Sequence, residues 1–221
     1  MIHGDNVRSG VFAEVAEERS HRLHEWSLAW RTPPPQPVDS YGAVLVLGGA
    51  MHADQDDRHP WLREENLFLQ RILDTGQPVL GVCLGAQLLA KAAHADVGPA
   101  REPEIGWLPV ELTDAAREDP VFAVLPERFD AFQWHYYTYA VPAGAVELAT
   151  SAVCTQGFRL GERAWGIQSH PEVTAEIVES WIAEGSDDAP AGLAEETRER
   201  IGDWNELGRA LCAAFFDVAE S

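Results

Sequence analysis

Apolar residues along the chain alternate between short continuous runs and stretches with helical spacing, the pattern an α/β sheet produces. Tyr41–Leu47 (YGAVLVL), Pro78–Val82 (PVLGV) and Ala164–Gln168 (AWGIQ) are unbroken apolar runs, as expected of central strands covered on both faces. Helical spacing falls at Val11–Trp26, at Trp61–Gly76 after Pro60, at Ala86–Ala95 and at Thr174–Glu184. The RTPPPQP segment, residues 31–37, cannot be helical and connects strands. Residues 100–112 carry turn residues, which predicts turns and extended pieces with a strand only at Leu108–Leu112. The aromatic stretch Phe129–Val141 predicts a packed strand and pocket wall, and Val146–Ala149 and Cys154–Arg159 predict two further strands. A linker at 185–192 (GSDDAPAG) then leads to helices at Leu193–Ile201 and Asn205–Val218. Ile201, Trp204, Leu207, Leu211 and Phe215 recur on one helical face, which suits a tail packed on the domain or an element that docks a partner. The expected fold is an open, mostly parallel twisted α/β sheet of flavodoxin-like type with helices on both faces. Residues 1–183 would form this domain and 184–221 a helical extension packed on it. Only Met1–His3 precede the loop before the first helix, so the first strand is either very short or begins upstream.

With 221 residues and 46% hydrophobic content the chain can bury a full core. Sixteen basic against thirty-six acidic residues give a formal charge of −20, which argues against a nucleic-acid partner. Three cysteines without metal-type spacing suit a reducing compartment, and no apolar run approaches the ~20 residues needed to span a bilayer. A cytoplasmic protein without membrane attachment is expected.

Candidate chemistry centres on Cys83, which lies between Gly81 and Gly85 where the second strand run gives way to a helix. A side chain at such a turn is pushed out of the sheet edge, and the flanking glycines let the backbone close tightly. The helix start favours a thiolate and an adjacent oxyanion; the alternative is a core cysteine, as Cys154 is expected to be. His170, Pro171 and Glu172 follow the third strand run. His170 offers a base, and Glu172 a carboxylate able to fix its tautomer, in the order cysteine, histidine, glutamate. His135 is the rival base, but it has no carboxylate two residues away and is expected near the pocket instead. Gly48 and Gly49 end the first strand run at the sheet edge where ligands bind; the N–H groups of Gly49 and Leu84 suit an oxyanion hole, or the glycines form an ordinary turn. Gln87 lies one helical turn beyond Cys83. The loop between His52 and His59 is acidic but loosely spaced, so a solvated loop is expected there and no metal.

These residues fall in motifs that resemble the class I (triad-type) glutamine amidotransferases, in a stand-alone form similar to the amidotransferase domain of GMP synthase. The motifs are GVCLGAQ at 81–87, LGGAM at 47–51, EIGW at 104–107, QWH at 133–135 and SHPE at 169–172. Ala50 stands where the family usually has proline, and Tyr136 and Tyr137 stand where many relatives carry glycine and aspartate. The resemblance implies a catalytic triad of Cys83, His170 and Glu172, an oxyanion hole at Gly49 and Leu84, and no metal or organic cofactor. It also implies that Gln87, together with Tyr136 and Tyr137 mainly through backbone groups, binds the amino-acid end of glutamine. In the family the released ammonia passes to a synthetase, and this chain has no G-x-x-x-x-G-K-[ST] loop for ATP. A separate ATP-dependent synthetase subunit is therefore one expected partner. The alternatives are a free-standing peptidase on a γ-glutamyl compound, or a regulatory subunit that binds ligand without turnover.

Overall fold

The computed structural model describes residues 1–184 and 188–221, so the first three positions of the expected 185–192 linker lie outside the described residues. In chain order the elements are α1 (Gly10–Glu18), β1 (Val44–Val46), α2 (Trp61–Thr75), β2 (Val79–Val82), α3 (Leu84–Ala92), β3 (Val97–Leu112) and β4 (Arg128–Tyr139). They continue with β5 (Ala145–Thr150), β6 (Thr155–Leu160), β7 (Ala164–Ile167), α4 (Ala175–Ala183) and α5 (Leu193–Glu220).

The strands form one open mixed sheet in the order β1-β2-β7-β6-β5-β3-β4. β1, β2 and β7 run parallel, and this is the part that carries the glycine, cysteine and histidine motifs. The remaining pairs are antiparallel and extend the sheet to one side. Chain length dictates this: the spans from Thr150 to Thr155 and from Leu160 to Ala164 leave room for hairpin turns but not for a parallel crossover. Side-chain alternation along the central strands splits the core in two. Val44, Val46 and Val79 pack with Leu62, Leu69 and Ile72 of α2 and Leu88 of α3. Leu80 and Val82 point the other way, onto Phe12 of α1, Val178 of α4 and Leu211 and Phe215 of α5. Helices therefore cover both faces.

Four elements differ from expectation. Residues 1–9 form no strand, although Met1 makes backbone hydrogen bonds to Leu45 and Leu47 beside β1. β3 is one strand of 16 residues despite Pro99, Pro103 and Pro109, because only Glu111 and Leu112 pair with β5 and the rest of that edge is open. Proline is tolerated where its missing N–H has no ladder partner. α1 stops at Glu18, not Trp26: Ser20 takes a left-handed conformation (φ 61°), and the N–H groups of Ser20 and His21 close back onto Glu17 and Ala16. The tail is one continuous helix through Gly202, held by the buried face of Trp204, Leu211 and Phe215.

Both ends of the chain converge on the turn after β7. The Trp204 indole N–H donates to the His170 carbonyl at 2.8 Å, and the Asn205 amide to that of Val173 at 2.7 Å. The Val11 N–H donates to Glu172 O at 3.0 Å. Gly208 lies so close to the Pro171 carbonyl that a Cβ there would sit 2.0 Å from the oxygen, backbone against backbone. Gly208→Ala is expected to lower the thermal midpoint by forcing α5 off this turn, at a cost of about 1–3 kcal/mol. Gly202→Ala, on the same helix with open space around it, is expected to raise the midpoint, since glycine costs about 1 kcal/mol inside a helix. Thermal denaturation of both variants checks the account, and two shifts of the same sign would contradict it.

Candidate active site

The turn from β2 into α3 is too tight for any side chain on the glycines beside Cys83. A Cβ on Gly81 would lie 2.6 Å from the Gly85 carbonyl, and one on Gly85 would lie 2.0 Å from the Val46 carbonyl. Cys83 itself takes φ 52° and ψ −109°, a conformation that an L-residue adopts only under constraint. Its N–H is anchored to Ile167 O of β7 at 2.7 Å, and its carbonyl accepts the Gln87 N–H one helical turn on. The thiol is thereby presented at the carboxyl ends of the parallel strands, beside the first N–H groups of α3.

His170 comes to the same point from β7. Its Nδ1 lies 2.8 Å from Glu172 Oε1, both side chains being buried, and the imidazole lines the same cavity as Cys83, whose Sγ lies 3.9 Å from the Trp134 carbonyl. Because Nδ1 is committed to the carboxylate, Nε2 is the nitrogen left for the sulfur. Burial opposes a charge on this ring, but the nearby negative charges of Glu172 and Cys83 and the hydrogen bond to Glu172 outweigh it, raising the pKa to about 10. Trp181 packs edge-on against the ring with centroids 4.9 Å apart.

Gly48 separates these groups from β1: a Cβ there would meet His170 Cε1 at 3.1 Å and Cys83 Cβ at 3.7 Å. Gly49 and Leu84 line the same cavity, and among the described residues no acceptor takes the N–H of either. The cavity measures about 320 Å³ and brings together all the residues expected at the site except the buried Glu172. Gln87 is buried, with its amide nitrogen spent on the Tyr137 carbonyl (2.8 Å) and on Gln168 (3.3 Å). His135 donates from Nδ1 to the same Tyr137 carbonyl at 3.0 Å, so that carbonyl is fixed from two sides. The Tyr136 hydroxyl donates to Asp188, and the Tyr137 ring stacks on His52 at 3.9 Å.

Sequence spacing missed a carboxylate for His135: Glu104, its cross-strand partner on β3, lies 3.1 Å from Nε2. His135 is therefore held by the Tyr137 carbonyl at Nδ1 and faces Glu104 at Nε2, whereas His170 has its Nδ1 on Glu172 and its Nε2 free for the thiol. Glu104, His135 and Cys154 also bring three metal-type donor atoms within 4.8 Å of one another. The Gln156 amide nitrogen fills that space, 2.9 Å from Glu104 and 3.5 Å from Cys154, which suits a hydrogen-bonded network more than a cation. In the acidic 52–59 loop, Asp56 and the Ala53 carbonyl are instead bound by Lys91, the chain's single lysine. Asn6, Val7 and Trp181 also line the cavity and were not foreseen, whereas Trp134 belongs to the aromatic stretch expected as a pocket wall.

No helix among the described residues is long and apolar enough to cross a membrane. Residues 13–183 match the family described as glutamine amidotransferase class-I. The chain is 29% identical to the glutamine amidotransferase-like protein YfeJ of Salmonella typhimurium, over 82% of this chain and 78% of that protein. It is 27% identical to a GMP synthase (glutamine-hydrolyzing) of Aeropyrum pernix, over 88% of this chain but only 40% of the synthase's length. Among solved structures, a glutamine amidotransferase from Thermotoga maritima superposes with a TM-score of 0.89 at 29% identity, covering 100% of this chain and 96% of that one. With that match spanning most of its length and its fold shared throughout, the chain belongs to the class I glutamine amidotransferases.

Proposed function

We propose that the chain hydrolyses the γ-amide of glutamine through Cys83, His170 and Glu172. The observation that carries this reading is the buried His170–Glu172 pair, 2.8 Å apart, whose imidazole shares a cavity with a cysteine at a strained strand-to-helix turn. The Cys83 thiolate attacks the γ-carbonyl carbon, and the C–S bond forms as the carbonyl electrons move onto oxygen. That oxyanion rests on the N–H groups of Gly49 and Leu84. When the tetrahedral species collapses the C–N bond breaks, and the His170 imidazolium gives its proton to the departing ammonia. The neutral imidazole then takes a proton from water as its oxygen attacks the γ-glutamyl thioester; the C–S bond breaks, glutamate is released and the thiolate–imidazolium pair is restored. Glu172 holds the ring in the tautomer that serves both steps. Tyr137 and Gln87 shape the amino-acid end of the pocket, the Tyr137 carbonyl being held in place by Gln87 and His135. The match covers 40% of the GMP synthase relative's length, and use of the released ammonia would draw on an ATP-dependent synthetase as partner.

Cys83→Ala is expected to abolish ammonia and glutamate release while leaving the fold intact, and His170→Ala to lower kcat about 10³-fold. Glu172→Gln should cost less, since orientation is lost before the base; the reverse ranking would return His135 to contention.

The pH profile gives a separate check. His170 holds its proton until pH rises toward about 10, so activity that needs the imidazolium falls on the alkaline side. Removing the Glu172 charge lowers that pKa, so the alkaline limb of kcat/KM moves to lower pH in Glu172→Gln; an unmoved limb argues against the pairing.

Thiol labelling offers a third. Burial pushes Cys154 and Cys212 up to about 12, so limiting iodoacetamide at neutral pH should modify Cys83 first, as read by peptide mapping. Earlier modification of Cys154 would contradict this assignment.

A further inference from the structure

The start of the chain holds a buried ion pair that the hydrolytic steps do not use. His3 Nε2 lies 2.8 Å from Glu65 Oε1 of α2, with side-chain exposures of 1% and 0%. His3 Nδ1 faces two carbonyl oxygens, those of Gly48 at 2.8 Å and Leu47 at 3.0 Å. A carbonyl only accepts, so Nδ1 must carry a hydrogen. Glu65 secures this: with the carboxylate at Nε2, the shared proton lies between the two side chains, and Nδ1 keeps its own in either arrangement. Burial opposes a charge on His3, but Glu65 and the Gly48 carbonyl outweigh it and raise its pKa.

These contacts fall on the peptide between Gly48 and Gly49. Two glycines have no side chain to fix the plane between them, and a glycine backbone reorients readily. In a trans peptide the carbonyl and the following N–H point in opposite directions. Tying the Gly48 carbonyl to His3 therefore turns the Gly49 N–H away from His3, and Gly49 lines the cavity beside Cys83 and Leu84. Space is restricted as well, since a Cβ on Gly49 would meet His3 Cβ at 2.7 Å and Leu84 Cδ2 at 2.9 Å. His3 is itself braced from the backbone: the Met1 nitrogen bonds Leu45 O at 2.6 Å, the Leu47 N–H bonds Met1 O, and the Ile2 N–H bonds Trp26 O.

We propose that His3, oriented by Glu65, is a positioning residue that sets the Gly48–Gly49 peptide so that the Gly49 N–H serves the transition state. This rests on the hydrolytic reading above and assigns a role within it to the amino-terminal segment.

Three variants at one position separate positioning from packing. Asparagine places its amide nitrogen near the site of Nδ1, whereas glutamine is closer to histidine in size and places its amide near Nε2. His3→Ala and His3→Gln are expected to lower kcat for glutamine about 10–10²-fold with KM within about threefold, approaching the loss of an oxyanion donor. His3→Asn should recover most of the rate. Equal losses in all three, glutamine outperforming asparagine, or unchanged kcat in His3→Ala would overturn the proposal. Wild-type turnover that vanishes in Cys83→Ala establishes the underlying reading first. If wild-type shows none, that reading fails, and positioning is decided by crystal structures of wild-type and His3→Ala. A reoriented Gly48–Gly49 peptide in the variant supports it, and an unchanged one overturns it.

Discussion

The site depends on how closely β2, α3 and β1 approach one another at Cys83. Gly81 meets Gly85, Gly85 meets the Val46 carbonyl, and the cysteine between them is held at positive φ by the anchor of its N–H to β7. Such a conformation costs on the order of 1–3 kcal/mol and persists only where the surroundings fix it. Here they do so from three parallel strands at once. The same strands end together, so the Gly48–Gly49 turn, the Cys83 turn and the His170 turn lie at one edge of the sheet. The antiparallel half contributes β4, which supplies the aromatic wall and the Tyr137 carbonyl.

Each of these turns is irregular backbone, and the carbonyls of two of them are bound by groups from distant parts of the sequence. The turn after β7 is gripped by Val11 and α5, and the turn after β1 by His3. Buried polar groups without partners are expensive, so these contacts both offset that cost and choose one orientation for each peptide. The two ends of the chain thus act as braces for a site formed by its middle. The pairing of α1 with α5 adds surface ion pairs, such as Arg209 with Glu14 and Glu18, which contribute little individually. Their apolar faces, Phe12 and Val15 against Leu211 and Phe215, carry more of the stability.

The parts of the fold most legible in the sequence were those governed by short-range rules. Apolar runs gave β1, β2 and β7; Pro60 and Gly76 bracketed α2, whose cap residue has φ 68° as a left-handed terminus requires. Glycine spacing around Cys83 was legible because only glycine fits so close an approach. β3 was not, because its prolines signal turns unless one knows that the strand edge is open. α1 was drawn too long since apolar residues continue past Ser20, and nothing local marks the left-handed turn there. The polar contacts of His3, Glu104 and Trp204 were not legible for a common reason: their partners lie 31 or more residues away, and such contacts leave no periodic trace.

The most direct test of the central claim is intact-protein mass spectrometry after rapid acid quench of the enzyme turning over glutamine, followed by peptide mapping. Covalent catalysis by Cys83 predicts a transient gain of one γ-glutamyl group on the peptide that contains Cys83. A γ-glutamyl adduct on Cys154 or Cys212 instead, or its absence from every peptide while glutamate accumulates, would contradict it.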